Sequence, residues 1–294
     1  MEKNSFGDKL FLIGTYVFIT LVTLCILYPL IYIVSSSFSS GNAIRTGRVV
    51  LWPVEPSLEG YKLFFSNKLM LSGYVNSFIY MVAGTFISIT LTIFGAFALA
   101  KSNLVGRTFF MFFFTFTMLF SGGLIPSYMV VRGLGMVDTI WAIIVPGAIN
   151  VWNLIIAITF FRTTLTNEVL EAAEIDGSGN LQTLFRIVIP LSKPVIAVLS
   201  LFVAVGIWNS YFNALIYLRA QELYPLQLVL REVLIQNTIK ASDFSNMERY
   251  LNMKNSVEIM KYSSIVVASI PALVIYPFVQ RHFVKGVMIG SLKG

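Results

Sequence analysis

The sequence LFLIGTYVFITLVTLCILYPLIYIVSSSF, residues 10–38, contains no Asp, Glu, Lys, Arg or His. A helix needs about 20 apolar residues to cross about 30 Å of hydrocarbon, so this stretch is long enough to span a membrane. It is too long for the apolar region of a secretion signal, which has about 7–15 residues, and we expect an uncleaved first span. Five similar stretches follow it: residues 69–100, 108–131, 139–161, 194–218 and 262–280.

The composition of the whole chain agrees with a membrane protein. Hydrophobic residues make up 56% and charged residues 12% of the sequence, whereas soluble domains are about 25% charged. The mean hydropathy is +0.79. We therefore predict an all-α, polytopic integral membrane protein with six transmembrane helices, in a single domain over residues 1–294. Ser121-Gly122-Gly123 and Pro126 interrupt the third stretch, which predicts an irregular end there, because freed backbone groups need protein or a cavity around them.

The net charge of +7 raises the question of a nucleic-acid partner. Lys and Arg are spread over the connections between the apolar stretches and form no single basic stripe, so we predict no nucleic-acid binding. Basic connections are typical of a protein whose partner is an anionic lipid bilayer. Cys25 is the only cysteine, which excludes a disulfide framework and a cysteine metal site.

A charged segment, residues 162–193, separates the fourth and fifth apolar stretches. Glu168, Glu171 and Glu174 recur at every third residue, which places them near one face of a helix. Gly177 suits the left-handed turn that ends such a helix. The spacing of the apolar residues that follow predicts a second, amphipathic helix that Pro190 stops. These apolar residues are Leu181, Leu184, Phe185, Val188 and Ile189.

This helix–turn–helix carries a recognisable pattern of residues. It reads Glu171-Ala172-Ala173, three residues, Gly177, nine residues, Ile187, one residue, Ile189-Pro190. The pattern resembles the EAA signature, E-A-A-x3-G-x9-I-x-L-P, of the permease subunits of binding-protein-dependent ABC importers. The one departure is Ile189 in place of Leu.

The resemblance extends beyond this loop. Residues 121–126, 141–147, 224–228 and 283–294 resemble a subgroup of carbohydrate-uptake permeases that is related to the second permease of the maltose importer. Members of this subgroup are associated with oligosaccharides, including pectin fragments and alginate-type acidic chains. The resemblance implies an ATP-driven importer of an oligosaccharide in the bacterial cytoplasmic (inner) membrane.

The same resemblance implies the partners and the orientation. We expect a homologous second permease, two ATPase subunits and an extracytoplasmic sugar-binding protein. The loop at residues 162–193 must face the ATPases, so six spans place both termini in the cytoplasm. The numbers of Lys and Arg on the two sides do not differ enough to fix the orientation. They favour this orientation only because the inner connections are shorter, and charges in long loops count less. No cofactor is expected in this chain, because ATP and Mg belong to the partner ATPase.

The coupling role falls on residues of the signature. Glu171 is expected to pair with a group in an ATPase groove, Ala172 and Ala173 to permit close approach, and Gly177 to make the turn. Ile187 and Pro190 complete the set.

The sequence argues against an enzyme and against proton coupling. The single histidine, His282, leaves no basis for a nucleophile triad or a histidine metal site. Proton-coupled transporters place ionisable residues within their spans, and the six apolar stretches contain none. A secondary carrier and a non-transport membrane scaffold remain the alternatives, and co-purification of an ATPase would distinguish them from an ABC permease.

Two ring–amide pairs are candidates for the substrate passage: Trp152-Asn153 and Trp208-Asn209. Tyr211 and Asn213 extend the second pair. Amides hydrogen-bond to hydroxyl groups and aromatic rings stack on the apolar faces of sugars, so a sugar passage needs both. The alternative is structural, because amides also tie membrane helices together and Trp and Tyr populate the membrane interface.

Overall fold

The structure, a computed structural model, describes residues 6–164, 167–236 and 247–291, and its secondary structure in these ranges is helical. A short 3₁₀ turn, Gln221–Leu223, precedes the helix Leu226–Gln236. The helices are, in chain order, α1 (Phe6–Ser37), α2 (Gly41–Arg45), α3 (Glu59–Ser66), α4 (Lys68–Ala100), α5 (Arg107–Leu119), α6 (Leu124–Gly133), α7 (Trp141–Ile144), α8 (Val151–Thr164), α9 (Asn167–Ile175), α10 (Asn180–Leu191), α11 (Lys193–Trp208), α12 (Phe212–Tyr217), α13 (Leu226–Gln236) and α14 (Met247–Ser291).

The prediction of an all-α polytopic membrane protein is confirmed. Helices α1 and α4, and Tyr250–Pro277 within α14, are each long and apolar enough to cross a membrane. The remaining predicted stretches are divided. Helices α5 and α6 meet at an angle of 118°, at the break that Ser121-Gly122-Gly123 predicted. The side chains of His282 and of residues 283–294 lie outside the described part of the chain.

The fourth predicted stretch is divided between α7 and α8. Helix α8 has 14 residues, which at 1.5 Å per residue is about 21 Å, less than the hydrocarbon thickness. Pro146 and Gly147 lie between the two helices, and proline cannot donate a backbone hydrogen bond. Asn150 restarts the helix as its N-cap, because its Oδ1 accepts the N–H of Asn153 at 3.1 Å.

The fifth predicted stretch is divided between α11 and α12. Asn209 follows the last residue of α11, and its Nδ2 donates to the carbonyl oxygen of Val205 at 2.9 Å. Asp138 holds the chain beyond α12, because its Oδ1 accepts the N–H groups of Ala220 and Arg219 at 2.9 and 2.8 Å. These two bonds lower the pKa of the Asp138 carboxyl below its ordinary value.

The described residues form two compact units. The first contains residues up to Leu71 and the described part of Glu232–Ile270. Its small core consists of Ala43, Ile44, Val49 and Ile259. The last turn of α1 is buried in this unit, where Ser35 Oγ donates to the carbonyl oxygen of Leu51 at 2.6 Å. The single domain over residues 1–294 stays a prediction.

The second unit contains Ser72–Arg231 and the described residues from Pro271 onward. Its core joins α4, α8, α10 and α11. Because α10 lies within the charged segment, this core attaches that segment to the apolar helices. The buried members are Ile89, Ile93, Ala96, Phe97, Leu99, Leu154, Ala157, Ile158, Phe161, Leu184, Val188, Val195 and Leu199.

None of the side chains that the structure describes in α13, residues 226–233, is exposed. Leu226 and Leu228 are fully buried. Side chains of α4 bond to the segment that leads into it. Asn76 Nδ2 donates to the carbonyl oxygens of Glu222 and Tyr224 at 2.6 and 3.1 Å, and Ser77 Oγ accepts the N–H of Leu226 at 2.8 Å. The side chains of Leu226 and Leu228 therefore pack inside the second unit.

Replacing Asn76 by Leu should destabilise this packing. The substitution removes the amide that donates to both carbonyl oxygens, and loss of a typical intramolecular hydrogen bond costs about 0.5–1.5 kcal/mol. We expect a lower unfolding temperature for Asn76→Leu in detergent. Val82→Leu, at an exposed position of the same helix, is the control and should leave the temperature unchanged. Equal unfolding temperatures for both variants would contradict the assigned role.

Candidate functional site

Helix α9 presents the acidic face that the sequence predicts. Glu171 and Glu174 are exposed, as is Ala172 between them. Ala173 is buried, at 4% exposure, so the two alanines of the signature face opposite environments. The helix offers its carboxylates outward while its small residue at position 173 packs inward.

The turn after α9 has the predicted geometry. Gly177 has a φ of +76°, in the left-handed region that glycine enters most easily. Its N–H donates to the carbonyl oxygen of Glu174 at 3.0 Å, and the N–H of Ser178 donates to that of Ala173 at 2.9 Å. These two bonds are those of a Schellman motif, which satisfies the last carbonyls of a helix.

Helix α10 buries only part of the apolar face that the sequence predicts. Leu184 and Val188 are buried, whereas Leu181 and Phe185 are exposed at 63% and 55%. Ile187 is half-buried. The exposed apolar groups and the carboxylates of α9 give this loop a mixed surface of the kind that contacts another protein.

Pro190 does not stop α10, contrary to expectation. The helix contains a π-helical turn, Leu184–Val188, and continues to Leu191. A proline ring normally clashes with the carbonyl four residues earlier, and the wider π turn relieves this crowding. The break falls at Ser192, after which α11 leaves at 82° to α10. Pro190 itself is exposed.

Several contacts fasten this loop to the apolar helices. Lys101 Nζ donates to Asn180 Oδ1 at 2.5 Å, and the rings of Phe94 and Phe185 meet edge to face at 6.0 Å. Leu184 and Val188 lie in the core with α4, α8 and α11. Since close-packed interiors transmit displacement with little compression, a force on α9 and α10 acts on these three helices.

One ring–amide pair lines a cleft. Trp152 is 60% exposed and Asn153 is 6% exposed, and both border a cleft of about 540 Å³. The break between α7 and α8 contributes Gly147 and Asn150 to its wall. The remaining lining residues are Ser88, Phe202, Val203, Gly206 and Ile207.

The second pair does not border this cleft. Trp208 is buried, and its ring meets that of Tyr74 edge to face at 5.4 Å. Asn209 closes the end of α11, as described above. Tyr211 lies with its ring 5.8 Å from the guanidinium of Arg231, and Asn213 is half-buried in α12. The structure thus gives Trp208 and Asn209 packing and capping contacts, and their place in a passage stays a prediction.

Ser88 is a residue that the sequence reasoning missed. It lies in the cleft wall at 2% exposure, and its Oγ has no hydrogen-bond partner among the described residues. Thr85 and Thr92 of the same helix also have unpartnered hydroxyls. The spacing of residues 85, 88 and 92 places the three on one face of α4. Hydroxyl residues at this spacing in an apolar helix are therefore the sequence signal that could have indicated Ser88 as a cleft residue.

No family model matches the chain. The chain is 39% identical, over 287 residues, to the polygalacturonan/rhamnogalacturonan transport system permease protein YtcP of Bacillus subtilis (strain 168), covering 98% of this chain and 99% of that protein. It is 39% identical over 291 residues to Protein LplC of the same organism, covering 99% and 97%.

A more distant relative and a solved structure extend the comparison. The maltodextrin transport system permease protein MdxG of Bacillus subtilis is 26% identical over 291 residues, covering 96% of each chain. The crystal structure of a bacterial ABC transporter involved in the import of the acidic polysaccharide alginate contains a chain that is 36% identical, with a TM-score of 0.88, over 96% of this chain and all of that one. An all-helical membrane fold, a fastened acidic loop and this likeness over nearly the full length agree, and the chain belongs to the permease family of carbohydrate ABC importers.

Proposed function

We propose that this permease carries an acidic oligosaccharide across the bacterial cytoplasmic membrane, within an assembly that supplies the energy. The assembly contains a homologous second permease, two ATPase subunits and an extracytoplasmic sugar-binding protein. The observation that supports this proposal best is the loop of α9 and α10, in which Glu171 and Glu174 are exposed while Leu184 and Val188 lie in the core.

ATP and its Mg²⁺ belong to the ATPase subunits in this proposal. The sequence has no GxxxxGK[ST] loop to cradle a nucleotide phosphate. The loop of α9 and α10 then faces the cytoplasm, where the ATPases lie. With six crossings of the membrane, both termini are cytoplasmic as well.

The residues of the signature divide the coupling work. Glu171 pairs with a cationic or N–H group in an ATPase groove, and the exposed methyl of Ala172 permits close approach. Ala173 packs α9 against the core, and Gly177 fixes the angle between α9 and α10. Ile187 and Pro190 belong to α10, the second helix of the loop. ATP binding closes the ATPases, which moves α9 and α10 together and shifts the permeases from an inward-facing to an outward-facing state.

The cleft beside Trp152 is the proposed sugar-contacting part of this chain. The Trp152 ring provides a stacking face, and the amides of Asn150 and Asn153 provide donors and acceptors for hydroxyl groups. Among the described residues, no Lys or Arg borders the cleft. Selection of a carboxylate-bearing sugar therefore falls to the sugar-binding protein or the second permease. The acidic class is supported by the polysaccharides named for YtcP and for the alginate importer.

Uptake by the whole assembly in proteoliposomes tests the function. We expect accumulation of labelled oligogalacturonate, but not of maltodextrin, when ATP is supplied on the ATPase side. A protonophore at constant ATP should leave uptake unchanged, because the predicted spans contain no ionisable residue to relay protons. Uptake that stops with the protonophore would indicate a secondary carrier. Equal uptake of both sugars would contradict the acidic class alone.

Gly177→Ala should weaken ATPase association. A non-glycine residue in the left-handed region costs about 1–2 kcal/mol, although the space beside Gly177 is open. Gly179→Ala is the matched control, because Gly179 also has open space but an ordinary φ of −71°. We expect less ATPase to co-purify with Gly177→Ala and the wild-type amount with Gly179→Ala. Equal amounts for both variants would remove the role of the turn.

Trp152→Ala should slow sugar uptake more than it lowers basal ATP hydrolysis. Loss of an aromatic contact of about 0.5–1.5 kcal/mol corresponds to a rate about twofold to thirteenfold lower. Trp141→Ala is the control, since Trp141 is half exposed but does not border the cleft. Uptake and hydrolysis would be compared in the same proteoliposomes. An equal fall of both rates in Trp152→Ala would assign the residue to structure instead of to the passage.

A further inference from the structure

A second, smaller pocket lies at the end of the second unit that carries α9. Its volume is about 210 Å³, and three cationic residues line it: Lys101, Arg107 and Arg162. Lys101 and Arg107 bound the short connection between α4 and α5, and Arg162 lies in the last turn of α8. The connection after α4 and the helices α5 and α8 therefore bring positive charge to one place.

Within the described ranges, no carboxylate forms an ion pair with these cations. Arg162 Nη2 donates to the carbonyl oxygen of Leu99 at 3.3 Å, and Lys101 Nζ bonds to an amide oxygen of Asn180. Arg107 makes no side-chain hydrogen bond or ion pair with the residues that the structure describes. Glu171 and Glu174 border a neighbouring pocket with Lys101, but within the described ranges no ion pair joins them to it.

The positive potential is reinforced by two further features. Arg107 lies close enough to Arg162 for the two guanidinium groups to repel each other. Helix α5 begins at Arg107, and the preceding Gly106 supplies no side-chain cap for its first N–H groups. The N-terminus of a helix carries a partial positive charge and favours anions. A bound anion would relieve the repulsion between Arg107 and Arg162. The same anion would accept hydrogen bonds from the uncapped N–H groups at the start of α5.

Apart from Ser102, the other residues that line the pocket are apolar. Phe97, Ala100, Phe161 and Leu170 line it beside the cations, at the point where the apolar stretches 69–100 and 139–161 end. Basic pockets between membrane helices suit lipid headgroups, because the phosphate meets Arg and Lys while the acyl chains stay beside apolar side chains. A free phosphate would use only the basic half.

We propose that this pocket binds a phosphate oxyanion, and specifically the headgroup phosphate of an anionic phospholipid. Arg107 and Arg162 hold the phosphate oxygens, with Lys101 completing the charge. Leu170 belongs to α9, and Lys101 is bonded to Asn180 of α10. A bound headgroup therefore stabilises the loop of α9 and α10 in its observed position.

The test uses the full chain, purified in detergent with whatever subunits accompany it and depleted of lipid. Binding of dioleoylphosphatidylglycerol, dioleoylphosphatidylcholine and inorganic phosphate would be measured by native mass spectrometry and by the shift in unfolding temperature. We expect phosphatidylglycerol to bind and to raise the unfolding temperature, with phosphatidylcholine much weaker. Arg107→Gln with Arg162→Gln should weaken phosphatidylglycerol binding about tenfold or more, because charge-assisted bonds to phosphate are lost.

Two controls keep the outcome decisive. Arg186→Gln removes an exposed arginine outside the pocket and should bind phosphatidylglycerol as the wild type does. Arg107→Gln alone serves if the double variant does not fold, because Arg107 has no described protein partner to lose. Equal phosphatidylglycerol binding by wild type and Arg107→Gln would overturn the proposal. Equal stabilisation by the two lipids, or binding of inorganic phosphate with no response to phosphatidylglycerol, would overturn the lipid assignment.

Discussion

Backbone hydrogen bonding inside the hydrocarbon is the constraint on which the rest of this structure depends. Water is absent there, so every N–H and C=O group must find a partner within the protein. Unbroken helices such as α1 and α4 meet the requirement by themselves. Where the helices are divided, side chains supply the bonds. Asn150 caps α8, Asn209 closes α11, and Asn76 of α4 bonds to the carbonyls that precede α13.

The same constraint explains where the cleft forms. A break in a membrane helix is stable only beside other protein or a cavity, and the break between α7 and α8 borders the cleft through Gly147 and Asn150. In the proposed function, the polar groups that the break requires are therefore also the groups offered to a sugar. Ser88 lies in the same wall, and its Oγ has no hydrogen-bond partner among the described residues. Helix interruption and the proposed substrate contact thus depend on one local arrangement.

The sequence predicts the parts of this structure that depend on local chemistry. Charge-free stretches indicate membrane helices, and the position of Gly177 indicates a left-handed turn, because both follow from neighbouring residues. The burial of α13 could not be predicted, since its apolar face packs in a unit with α4, about 150 positions earlier in the sequence. The sequence also could not show that Trp208, a predicted sugar-stacking residue, is buried. Its partner Tyr74 is also distant in sequence, so only the fold shows that the ring is buried.

The loop of α9 and α10 combines two opposite electrostatic environments. Its exposed side carries Glu171 and Glu174, and its inner side, at Leu170 and Asn180, adjoins the cations of α4, α5 and α8. A purely apolar attachment would hold the loop only through its buried apolar area, and the hydrophobic effect is not directional. Charges of opposite sign on its two sides give it a polarity, because an exposed acidic face attracts a basic partner while uncompensated cations attract an anion beneath it. The hydrophobic core holds α9 and α10 in place, and in the two proposals above the charge on each side of the loop determines which kind of molecule binds there.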